Sequence, residues 1–306
     1  MINNNSMDNS EKRGTWCAII SGLLYGLLGY FGVTLLNSGF SAYNTSFWRF
    51  FASSLFLLII VIAKQAYKKG TLRQCLLVVA NGGIFYGAPG ILFLLASRYI
   101  STGQSIVIFF IFPVFVMVLN RIFLKEPIKP QYVFSFVLIL FGLLMLVDLS
   151  EARFDLAGIG LSLLSAFCYA NYVFISKHKV NKALPALYSS LLVSLGCMTT
   201  GGVASLIHGS WAWPSEPAQW FNIFGLGIIC SALPILFLFA ALEHISADKA
   251  SLLSVLEPVF VVIFGVLLLG EVLTLSSAFG IGLILLGAII VTLKLKTPSF
   301  FKTIRG

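Results

Sequence analysis

Apolar stretches of around 20 residues recur along the whole chain, and each is long enough to cross a hydrocarbon core of roughly 30 Å as a helix. Ten are read from the 306 residues, at about 16–36, 45–63, 75–95, 102–119, 131–147, 157–176, 185–206, 219–241, 247–269 and 275–294. With 58% hydrophobic and only 10% charged residues, against about 25% charged in a soluble domain, no wettable surface could be assembled. The connections are short and polar, so almost no chain is left for a soluble domain. The first run is too long for a signal-peptide core and is read as a mature helix, a cleaved signal being the alternative.

The ten runs are two copies of one unit. Pro113-Val114-Phe115-Val116 returns as Pro258-Val259-Phe260-Val261, and Glu126 returns as Glu271 at the same spacing. Ile100-Ser101 likewise matches Ile245-Ser246, Phe134 matches Phe279, Gly142 matches Gly287, and Pro89 matches Pro234. Two fused copies of a multi-helix unit are a frequent design of secondary transporters.

The formal charge of +9 does not point to nucleic acid, because the basic residues alternate by loop. Of the 20 Lys and Arg, 17 fall on one side of a ten-span topology; Arg98 and Arg153 lie opposite and Arg49 lies inside a span. That side is read as the cytoplasm, which holds both termini of a multi-pass protein. Five spans per half is an odd number, so the second copy inserts upside down relative to the first. The expected organisation is a polar tail over 1–14, a first repeat over 15–147, an outer linker over 148–156, a second repeat over 157–294 and a basic tail over 295–306. All five Trp residues fall at span ends or outer loops, as an interfacial belt would place them. The five Cys residues are scattered without a Cys-x-x-Cys pair and read as small packing residues, with neither a disulfide nor a metal site.

The Pro-Val-Phe-Val segment in the fourth and ninth spans, the Lys-Glu or Gly-Glu pair that ends each, and the Gly-bearing helix that follows together resemble the EamA repeat of the drug/metabolite transporter superfamily. The resemblance covers essentially the whole chain after the polar tail. It implies an all-α membrane fold of ten transmembrane helices, arranged as two inverted five-helix repeats around a central cavity. It also implies transport of amino acids, nucleobase-type metabolites, cofactors or toxic compounds, often outward.

Glu257 is the sharpest functional candidate, since a mid-span carboxylate costs roughly 2.5–3.5 kcal/mol on insertion scales. Ser251, Ser254 and Glu257 follow at intervals of three and form a polar stripe on the ninth span, whereas the equivalent positions of the first copy are Ile106, Phe109 and Phe112. A stripe present in one copy alone argues for asymmetric work such as substrate or proton binding. The competing reading is architectural, with Glu257 locking packing beside the Pro258 kink. Arg49 is open to two readings: a snorkelling or salt-bridged residue, or a guanidinium that recognises a substrate carboxylate. Ser21 and Tyr25 of the first span match Ser165 and Tyr169 of the sixth, and the paired tyrosines either line a cavity or pack in the core. Gly22 and Gly26 would let another helix approach closely. The third span carries Asn81-Gly82-Gly83 and Tyr86-Gly87-Ala88-Pro89-Gly90, and the eighth carries Gly225, Gly227 and Pro234 at corresponding depth. Asn81 and Tyr86 join the list of cavity candidates, and Pro89, Pro234, Pro113 and Pro258 are read as hinges.

No nucleotide-binding loop, paired aspartates or His-Glu-x-x-His appears, no Asp is read inside a span, and His178, His208 and His244 are placed in loops or at span ends. These absences disfavour a pump carrying its own ATPase and an intramembrane enzyme, and imply no cofactor and no metal. The expectation is a secondary carrier of small metabolites, an exporter in a bacterial inner membrane working by alternating access with proton coupling. Its partners are a small-molecule substrate and the lipid bilayer, and it assembles as a monomer or a homodimer. The alternatives are a channel-like uniporter and a receptor or assembly protein that binds without transport.

Overall fold

The structure, a computed structural model, describes residues 4–147 and 152–293; the basic tail and the first part of the linker lie outside them. All regular structure among the described residues is helical. Among the described residues, nine helices are long and apolar enough to cross a membrane: α1 (Asn9–Asn37), α2 (Ala42–Ala63), α3 (Leu72–Ala96), α4 (Thr102–Leu124), α6 (Leu156–Ala183), α7 (Ala186–Ile207), α8 (Pro217–His244), α9 (Ala247–Leu269) and α10 (Leu275–Thr292). The shorter apolar helix Pro130–Leu146 is α5 and completes the ten. The polar residues ahead of the first run are helical from Asn4 and continue into α1.

Side-chain contacts sort the helix ends into two groups. At one end, Lys249 pairs with Glu11 at 2.8 Å, Ser10 meets His244 Nδ1 at 3.0 Å, and Lys177 donates to the Leu242 carbonyl at 2.5 Å. This is the basic end. At the other, the linker end, Gln104 bonds the backbone of Arg153 and Asn44 donates to the Ala212 carbonyl.

The repeat seen in the sequence is also a repeat of local physics. Ser101 and Ser246 cap the first turns of α4 and α9 by accepting from Gln104 N and Lys249 N. Both helices are broken at matching places, between Phe109 and Phe112 and between Ser254 and Glu257, because Pro113 and Pro258 withdraw a backbone donor from the ladder. Each then ends in a left-handed residue, Lys125 at φ 57° and Gly270 at φ 69°. A π-helical turn interrupts α3 over Asn81–Gly87 and α8 over Gly225–Ala232, again at matching depth.

The two halves interlock rather than lie side by side. Ser21 of α1 donates to the carbonyl of Pro234 in α8 at 2.9 Å, and its mate Ser165 of α6 donates to the carbonyl of Pro89 in α3, also at 2.9 Å. Each hydroxyl therefore meets the proline of the other half. The α2–α7 and α5–α10 pairs close the bundle across the pseudo-twofold axis. Small residues make these crossings tight: a Cβ on Gly82 would stand 2.6 Å from the Val193 carbonyl oxygen, and one on Gly227 would stand 2.7 Å from that of Arg49. Gly22 and Gly26 admit α9 at Leu256, Glu257 and Phe260.

The tryptophans depart from a simple belt. Trp16 and Trp213 are exposed, but Trp48 is buried, donates to the Ala212 carbonyl at 3.0 Å and packs among Trp211, Trp213 and Trp220. The loop after α7 folds back over the start of α2 and gathers them into one cluster at the linker end.

Candidate functional site

One cavity of about 530 Å³ lies between the halves, within the range of small-molecule sites. Tyr25 of α1, Arg49 of α2, Tyr86 of α3, Tyr169 of α6, and Ser254 and Glu257 of α9 all line it, so five helices from both copies deliver polar side chains to one space. Pro89 and Pro258 lie in its wall as well. The breaks in α4 and α9 place Phe112 and Glu257 at the first residue of their second halves, where each turns toward the cavity.

The tyrosines form a connected group. The hydroxyls of Tyr25 and Tyr86 are 2.6 Å apart, one donating to the other. The ring of Tyr86 lies 5.7 Å from that of Tyr169 and 4.8 Å from that of Tyr172, and Phe112 meets Tyr169 edge-on at 4.7 Å. Tyr86 faces the cavity because the π-helical turn that contains it shifts the face of α3 by part of a turn. Its mate in the second copy is Ser231, whose hydroxyl is spent on the Leu226 carbonyl.

Arg49 neither snorkels to the membrane surface nor forms an ion pair of 4.0 Å or less among the described residues. Its Cζ sits 4.4 Å from the centre of the Phe50 ring, a cation–π contact, and its buried Nε has no hydrogen-bond partner. A guanidinium held this way keeps donors available to an anionic group entering the cavity. Glu257 lines the same space, so the site offers one cationic and one anionic side chain to a ligand that bears both charges.

The walls given by α4 and α9 are mates in the repeat and unlike in chemistry. Ser254 and Glu257 face the cavity on α9; Ile106, Phe109 and Phe112 face it on α4. Phe93, Phe110, Leu146 and Val147 continue the apolar lining toward the linker end. Phe109, Phe110 and Phe112 of the fourth span are therefore wall residues.

Two of the expected residues lie elsewhere. Ser251 is buried one turn nearer the basic end than Ser254, where the first half of α9 is packed, and it donates to the carbonyl of Asp248 in its own helix. Asn81 stands at the start of the π-helical turn, off the cavity, with its Nδ2 3.4 Å from Ser176 Oγ. Pro113 and Pro234 likewise sit behind the wall. The absence of aspartate from the spans also needs correction: Asp248 is in the first turn of α9, is 7% exposed, and accepts from Asn120 Nδ2 at 2.5 Å. His178, read as a loop residue, lies in the last part of α6 and joins the same group.

Ten helices in two inverted repeats, enclosing one cavity with an aromatic and charged lining, define a membrane transporter of the inverted-repeat class. The chain belongs to the EamA-like transporter family, whose model matches residues 12–148 and again 156–293. An uncharacterized transporter of Archaeoglobus fulgidus is 29% identical over 254 residues, covering 79% of this chain and 85% of that one. The threonine/homoserine exporter RhtA of Escherichia coli is 25% identical over 224 residues, 72% of each chain. A solved crystal structure superposes with a TM-score of 0.78, covering 96% of this chain and 99% of the other; at 13% identity that likeness speaks to the fold alone.

Proposed function

We propose that this chain is a secondary carrier that exports small metabolites of amino-acid type across a bacterial inner membrane by alternating access, with Glu257 coupling transport to protons. The observation that carries this reading is the pairing of Arg49 and Glu257 in one cavity without an ion pair between them. A ligand with a carboxylate and an ammonium matches both groups, and the tyrosine and phenylalanine rings accept its apolar part. The name of the RhtA relative points the same way. With the basic end in the cytoplasm, as the distribution of Lys and Arg favours, the cavity faces outward in this structure.

Water reaching Glu257 from alternate sides would let it take up and release a proton. The breaks at Pro113 and Pro258, and the π-helical turns before Pro89 and Pro234, supply the places where the helices would bend. Transport by purified protein in liposomes, screening amino acids, nucleobases and cofactors with and without a pH gradient, tests the reading. Saturable flux with counterflow of an amino acid supports it. Unsaturable flux at channel rates, or binding without flux, would reject it.

A further inference from the structure

The two ends of the bundle are closed differently. At the basic end, the second half of α4 (Phe112–Leu124) packs on the first half of α9 (Ala247–Ser254). Their mates in the repeat are the second half of α9 (Glu257–Leu269) and the first half of α4 (Thr102–Phe109), which stand apart at the linker end with the cavity between them. A pseudo-symmetric packing is thus made at one end and opened around the cavity at the other, as alternating access requires of a carrier caught on one side.

The contact that is made has a polar lock. Asn120 Nδ2 donates to Asp248 Oδ1 at 2.5 Å, and Asn120 Oδ1 lies 3.1 Å from Nε2 of His178 on α6. Asn120 and Asp248 are 2% and 7% exposed and His178 is half-buried, so the three side chains tie α4, α6 and α9 together at the edge of the buried interior. Their mates at the linker end are Gly265 for Asn120, Gly103 for Asp248 and Thr34 for His178. The two glycines have no side chain to bond, and the Thr34 hydroxyl is taken by the Tyr30 carbonyl of its own helix at 2.8 Å. The lock is built into one end only.

We propose that Asn120, Asp248 and His178 form a latch that holds the basic end shut while the cavity faces the linker end, and that its release is what admits ligand from the basic side. Buried hydrogen bonds to a carboxylate are among the stronger ones, so the latch biases the resting population toward the state seen here. The proposal rests on the alternating-access reading, but its test needs neither substrate nor flux, so the two can fail separately.

Hydrogen exchange measured by mass spectrometry on the intact chain in lipid nanodiscs reads both ends at once. Asp248→Ala and Asn120→Ala should each speed exchange of the amides of 117–124 and 247–250 by about tenfold, the scale of one such bond, while exchange over 102–109 slows as the linker end closes. Asp248→Asn keeps an acceptor oxygen but gives up the charge, so its exchange should fall between that of the unmodified chain and that of Asp248→Ala. Exchange unchanged at both ends in the alanine variants, exchange faster at both ends, or Asp248→Asn behaving like Asp248→Ala would each overturn the latch.

Discussion

The walls of the cavity given by α4 and α9 descend from one repeat, share a cap, a proline break and a left-handed end, and carry opposite chemistry where they face the ligand space. Phe109 and Phe112 on one wall answer Ser254 and Glu257 on the other. Features needed to turn, break and stop a membrane helix are held in both copies. Features that touch the cavity are free to differ: of these two walls only α9 carries a carboxylate, while the cation, Arg49, comes from the other copy. Duplication supplies a symmetric frame; in the function proposed above, the asymmetry within it sets what is bound and which end rests closed.

Substituting the two walls' defining residues one at a time is the strongest way to break this comparison. Glu257→Gln keeps size and shape but loses the charge, and should lower transport by about tenfold or more, read as initial flux in liposomes. Its mate, Phe112→Leu, keeps the wall apolar and should lower flux by less than about tenfold. Equal losses in the two would mean that the walls are equivalent.

Scaffold mates should behave alike where wall mates do not. Gly82→Ala and Gly227→Ala both drive a methyl into backbone of the facing helix, and each should destabilise the folded protein by about 1–3 kcal/mol, measured as lowered thermal stability in detergent. Smaller still, Ser21→Ala and Ser165→Ala each remove one hydrogen bond to a proline carbonyl and should cost about 1 kcal/mol apiece. The smallest effect is expected at Lys125, where glycine is the mate residue: Lys125→Gly relieves a left-handed side chain and should change stability by less than about 1 kcal/mol, in the favourable direction.

Much of the frame was legible because it is written in local terms. Apolar runs give the helices, Ile-Ser before α4 and α9 gives their caps, and the 145-residue register of Pro113 with Pro258 gives the breaks. The cavity was partly legible, since a mid-span Glu, an in-span Arg and paired Tyr are costly or conspicuous in lipid. Ser251 lies off the cavity because a helical wheel gives the face of a residue and not its depth: Ser251 is one turn nearer the packed basic end than Ser254. The Asn120, Asp248 and His178 group was not legible at all: its members are 128 and 58 residues apart in sequence, and each alone reads as an ordinary polar residue near a span end. Only the packing of three helices makes them one object.

The central claim is that the asymmetric wall carries the coupling, and it is tested most directly by uptake into liposomes holding the unmodified chain or Glu257→Gln, each with and without an imposed pH gradient. The account predicts that the gradient drives accumulation in the unmodified chain, while Glu257→Gln still exchanges ligand down its own gradient but ignores pH. Accumulation driven equally by the pH gradient in both proteins would contradict it.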